Sequence, residues 1–92
     1  MFEIQDKVIV ITGATGALGG ALALSLAKAK AQLVILGRNQ ELLDELSSKL
    51  NTLTVVKTYT VNVMDRMDLI RVREEMKSHF DRIDVLINAV GG

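Results

Sequence analysis

The sequence predicts an α/β fold, a doubly wound parallel sheet of strand order 3-2-1-4 with helices on both faces. Three observations carry that expectation. Four short β-branched runs alternate with three longer segments of helical spacing, giving β-α-β-α-β-α-β. The runs are continuously apolar, as strands covered on both faces are. Right-handed crossovers then restrict the topology, and the commonest solution sets the fourth strand beside the first. Two helices would lie on one face and the third on the other.

The first strand is expected at residues 7–12, "KVIVIT". The helix after it, 18–30, is mostly Ala and Leu, apolar on most sides, and so expected to be well buried. A second strand follows at 32–36, "QLVIL". The second helix carries Leu43, Leu46 and Leu50 at i, i+3 and i+7, with Asn39 placed to cap its start. The third strand is expected at 53–61, "LTVVKTYTV". Leu69, Val72, Met76 and Phe80 then form one helical stripe, led by Asp65 and Asp68 in positions that suit the cap and first turn. The fourth strand is expected at 84–88, "DVLIN". No linker or low-complexity tract interrupts the pattern, so residues 1–92 read as one domain.

Composition narrows the partners. Eleven acidic and eleven basic residues cancel and form no basic block, which removes the electrostatic argument for nucleic acid or an anionic membrane surface. There is no cysteine for disulfide, thiolate or sulfur-ligated metal chemistry, and a single histidine makes no metal cluster. Charges interrupt the chain too often for a membrane span, and the start "MFEIQDK" lacks the form of a signal peptide. A cytoplasmic setting is expected.

The chemistry concentrates at "TGATGALG", where Gly13, Gly16 and Gly19 stand between the first strand and the first helix. Gly13 permits a tight turn off the strand, and Gly16 lets backbone approach a pyrophosphate. Gly19 allows close packing of the helix. Thr15, Ala17 and Leu18 lie among these glycines, and the N–H groups of the helix start face the phosphate charge. No Lys-Ser/Thr pair follows, which excludes the Walker phosphate loop.

Taken with "LGRN" and "IDVLINAVGG", the glycine loop resembles the short-chain dehydrogenase/reductase family over essentially all 92 residues. The resemblance implies half of a Rossmann fold and an NAD(P)-dependent oxidoreductase, closest in detail to bacterial members acting on sugar acids or other secondary alcohols. It carries cofactor roles to Asn62-Val63 after the third strand and to Asn88-Ala89-Val90-Gly91 at the fourth. Departures accompany it. The loop glycine expected at Ala17 stands one place earlier, at Gly16, and the usual Asp-Val is Asn62-Val63, whose amide oxygen can still accept from an adenine amino group. At the end of the second strand, where NAD enzymes place an acid, stands Gly37, followed by Arg38 and Asn39. The Arg38 fork suits a ribose 2′-phosphate, so NADP is expected over NAD.

Family chemistry requires a Ser and a Tyr-x-x-x-Lys motif. The single tyrosine, Tyr59, is followed four places later by Val63 and is expected to pack. No catalytic residue and no metal ligand is therefore assigned. These 92 residues are expected to be the dinucleotide-binding N-terminal portion of such an oxidoreductase, catalytically incomplete alone, and the stop at Gly92 suggests an engineered end. The competing expectation is a self-assembling structural fragment that binds no ligand. In either case the fourth strand is expected to leave an open apolar edge, through which two copies would form a homodimer.

Overall fold

The computed structural model describes residues 4–89. Its elements are β1 (Val8–Thr12), α1 (Ala17–Lys28), β2 (Gln32–Gly37), α2 (Gln40–Leu50), β3 (Val56–Thr60), α3 (Arg66–His79) and β4 (Val85–Asn88). The strands form one sheet of order β3-β2-β1-β4, with every neighbouring pair parallel. That is the expected Rossmann half. In register, Ile11 stands between Ile35 and Ile87, and Thr12 between Leu36 and Asn88.

Alternate residues of β1 and β2 feed two cores, which is why these strands are apolar throughout. Ile9, Ile11, Leu33 and Ile35 pack with Ala23 and Ala27 of α1 and with Leu43 and Leu50 of α2. Val8, Val10, Val34 and Leu36 turn to the opposite face and meet Tyr59, Val61 and Val72. Two helices therefore cover one face and α3 the other. Residues Ile11, Leu33, Ile35, Leu43 and Leu50 are completely buried, and each would contribute about 1.5–3 kcal/mol by leaving water.

Three local expectations are corrected. The α1 helix is not buried all round: Gly19, Ala23 and Ala27 form its inner stripe, while Leu18 and Leu24 are exposed. An Ala/Leu-rich composition conceals which side faces the sheet, and here one stripe of small residues does the packing. Leu69 likewise lies outside the core, so the α3 stripe reduces to buried Val72 with half-buried Met76 and Phe80. The β3 strand begins at Val56 rather than 53, because Leu53 and Thr54 donate their N–H groups to the Leu50 carbonyl and close the end of α2.

Two helix starts are secured by side chains. Asn39 Oδ1 accepts from Leu42 N at 3.2 Å, and Asp65 Oδ1 accepts from Met67 N at 3.0 Å and Asp68 N at 3.3 Å. Asp65→Ala removes both hydrogen bonds and should cost about 1 kcal/mol in a urea melt, whereas loss below a quarter of that would deny the cap its role. At the other end of the sheet, Asp84 accepts from the β1 amide of Val8 at 2.8 Å and pairs with Arg82. The Val8 N–H, and then Arg82, hold its carboxyl below the usual carboxylate range. Among the described residues no helix is long and apolar enough to cross a membrane.

Candidate functional site

The glycine loop leaves β1 at the C-terminal edge of the sheet, where β1 lies between β2 and β4. This is the crevice in which open α/β sheets hold ligands. Gly13 sits at φ 67°, a left-handed conformation that turns the chain sharply off the strand. Gly19 is required by contact: a Cβ there would lie 2.3 Å from the Gly13 carbonyl oxygen and 2.8 Å from Ala14 Cα. The expected close packing is thus against the loop's own backbone. Gly16 differs, since a Cβ on it would meet nothing closer than 3.6 Å. The fold does not need a glycine at that position, and the surface there is free for an approaching group.

Gly16 is also the N-cap of α1, and no side chain caps that helix or places an acid in its first turn. Both other helices have a side-chain cap and an acid in the first turn. The amides at the start of α1, on Ala17, Leu18 and Gly19, therefore form a partial positive charge left for an anion.

Beside this loop a cavity of about 220 Å³ is lined by Thr12, Gly13, Thr15, Leu36, Gly37, Arg38, Asn39, Val61 and Val63. The expected residues Gly13, Thr15, Gly37, Arg38, Asn39 and Val63 are thus brought together. A second hollow joins Thr12 and Val63 to Leu86 and Asn88. Arg38 is exposed at the rim of the first cavity, and Gly37, at its floor, carries no carboxylate. Asn39 has its side-chain oxygen committed to the α2 cap.

Asn62 is exposed and bound into its own loop. Its Oδ1 accepts from Met64 N at 3.0 Å, which leaves one lone pair for another donor, and its N–H donates to Asp68 Oδ2 at 2.7 Å. At the fourth strand, Asn88 Oδ1 accepts from the Thr12 hydroxyl at 2.8 Å, and Ala89 N donates to the Thr12 carbonyl at 3.0 Å. Val90 and Gly91 lie outside the described residues.

Tyr59 is buried on the α3 face, and burial, with Glu75 second, pushes its phenol above the ordinary value. It lines neither hollow, as expected of a packing residue. Thr12, Leu36 and Val61 also line the candidate cavity, and reading the sequence did not single them out. Their side chains look like any others in a buried strand, and the usable signal was position at the C-terminal ends of adjacent parallel strands.

Comparison with known proteins places the chain in a family. The short chain dehydrogenase family profile matches residues 7–92. An uncharacterised oxidoreductase of Staphylococcus saprophyticus is 36% identical over 93 aligned positions, which take in 99% of this chain and 40% of that protein. An oxidoreductase of Haemophilus influenzae crystallised with bound NAD is 35% identical with a TM-score of 0.89, the match covering 98% of this chain and 32% of that one. An NAD+-bound xylitol dehydrogenase superposes with a TM-score of 0.87 at 27% identity, over 92% of this chain and 33% of its own. This chain therefore spans about 40% or less of the length of such relatives. With that profile match along nearly its whole length and this sheet order, the chain belongs to the short chain dehydrogenase family.

Proposed function

We propose that these residues bind the adenosine and diphosphate of a nicotinamide dinucleotide within an oxidoreductase of secondary alcohols or sugar acids. The observation that carries this is the cavity of Gly13, Thr15, Gly37 and Arg38 lying beside the uncapped start of α1. One part of the ligand would rest on the strand ends while its diphosphate meets the free helix amides. The two similar structures that hold NAD support the ligand class. The missing Tyr-x-x-x-Lys means that hydride transfer depends on residues other than these 92.

Within that class we assign NADP, on the strength of Gly37 and Arg38. Nothing at Gly37 repels a 2′-phosphate, and the Arg38 fork at the cavity rim can pair with one. Equilibrium titration with NADP+, NAD+ and 2′-phospho-ADP-ribose tests this. Arg38→Ala should weaken NADP+ roughly tenfold, the worth of one charge-assisted pair, and leave NAD+ unchanged. Tighter binding of NAD+ than NADP+ by the unaltered chain would reverse the assignment. No binding at millimolar ligand would favour the ligand-free structural fragment.

A second reading concerns the sheet edge. The side of β4 away from β1 is unpaired among the described residues, and Val85 and Leu86 on it are 43% and 67% exposed. We propose that two copies of this chain pair there as a homodimer, which would join two four-stranded halves into one sheet. Light scattering should give twice the 10.0 kDa chain mass, and Leu86→Lys should return it to the monomer. A monomeric chain at high concentration would remove the proposal.

A further inference from the structure

The cavity beside the glycine loop is lined from two stretches of chain, Gly37, Arg38 and Asn39 after β2 and Val61 and Val63 after β3. The Val61 N–H donates to the Gly37 carbonyl at 2.8 Å, and a run of side-chain bonds links the two stretches further. Gln40 follows the first stretch directly. Its Nε2 donates to Asp44 Oδ1 at 2.8 Å, and its Oε1 accepts from the Thr60 hydroxyl. The Thr60 carbonyl accepts from Arg71 Nη2 at 2.9 Å. Arg71 also donates from Nε to Asp68 Oδ1 at 2.9 Å and from Nη1 to Glu75 Oε1 at 3.1 Å. Asp68 closes the run by accepting the Asn62 N–H, within the second stretch.

Resting on the dinucleotide reading above, we propose that Asp68 and Arg71 are positioning residues for the adenine-bearing end of the ligand. They touch no part of either hollow, and all three guanidinium nitrogens of Arg71 are engaged within the protein. Their effect on a ligand must therefore pass through the loop of residues 60–64. That loop is exposed at Asn62, Val63 and Met64, and the apolar core beneath holds it only at Val61. The carboxylate of Asp68, kept ionised below the usual carboxylate range by the Asn62 N–H and then by Arg71, fixes the backbone on one side of Val63. The Asn62 side chain fixes the other side through Met64 N. Orientation of the loop matters because Val63 lines both hollows.

The test compares Asp68→Ala, Arg71→Ala and the double variant for binding of ADP and of inorganic pyrophosphate, with amide hydrogen exchange followed by NMR. Each single variant should weaken ADP about tenfold, as expected for a lost hydrogen bond to a charged group, and leave pyrophosphate within about twofold. The double variant should be no worse than either single one, because the two side chains act as a unit. Exchange at the Asn62 amide should accelerate in all three, while the β1 amides of Val10 and Ile11 stay protected. Unchanged ADP affinity would overturn the positioning role. So would an equal loss of ADP and pyrophosphate together with exposure of β1, which would mark general destabilisation. If the unaltered chain binds neither ligand, the dinucleotide reading itself fails.

Discussion

Gly19→Ala should lose most of its folded population at temperatures where the unaltered chain is intact. The added methyl would stand 2.3 Å from the Gly13 carbonyl oxygen, 2.8 Å from Ala14 Cα and 3.0 Å from the Gly13 carbonyl carbon. All three are backbone atoms, so no side-chain rotation relieves the contact. Either α1 must withdraw from the loop or the loop must abandon its turn. Overpacking typically costs about 1–3 kcal/mol, and contact with unyielding backbone puts this substitution at the upper end, about 3 kcal/mol. For a domain of this size that corresponds to a fall in Tm of roughly 12–24 °C. Gly16→Ala supplies the contrast. Its methyl meets nothing closer than 3.6 Å, and its φ of −75° suits alanine, so the loss should stay near or below about 1 kcal/mol, the scale of an N-cap preference over alanine. If the proposed dinucleotide reading holds, binding should nevertheless fall, because the new methyl would occupy the surface proposed for the diphosphate. Equal destabilisation by both substitutions would show that the loop glycines serve the fold alone.

Leu43→Ala carries the next largest effect. Leu43 is fully buried on the first turn of α2, among Ile11, Leu33 and Ile35 of the sheet's inner face. Its truncation should cost about 3 kcal/mol in denaturant melts, since a cavity is added to the lost transfer free energy. There is a local consequence as well. Leu43 Cδ2 lies only 3.2 Å from where a Gly37 Cβ would stand, so this side chain supports the floor of the candidate cavity. Ligand affinity should fall alongside stability. Leu69→Ala on α3, at 41% exposure, should change stability by less than about 1 kcal/mol. If the two leucines cost the same, the separation of core from surface drawn above is wrong.

The sheet was legible because β1 and β2 serve a core on each face, so apolar runs without alternation had one plausible meaning. Asn39 and Asp65 were legible because caps depend on local chemistry that needs no knowledge of the rest of the fold. The α1 helix was harder, since alanine and leucine on all sides conceal which stripe faces inward. Leu53 and Thr54 looked like strand residues by type, yet their amides are claimed by the end of α2, a competition that residue type does not report. At the site, glycines announce themselves by what they lack. Thr12, Leu36 and Val61 do not, because a strand residue lining a cavity has the same composition as one lining a core. Asp68 reads as a first-turn acid, and nothing in the sequence around Arg71 singles it out. Their common partner, the loop before α3, becomes visible only once β3 and α3 are placed side by side.

The placement of β1 also bears on the order in which the chain can assemble. Its hydroxyl link from Thr12 to Asn88 joins residues 76 apart, as does the bond from Asp84 to Val8 at the opposite end of the same strand pair. Of these four strands a ribosome delivers β1 first and β4 last, so this inner strand gains its second neighbour only once residues 85–88 have been made. Pairing with β2 can begin after the first crossover, but pairing with β4 must close the longest loop available and is the slow class of contact. Until then, one backbone edge of β1 stands open to any extended segment nearby. Of the two inner strands, β1 is therefore the one exposed longer to mispairing during synthesis.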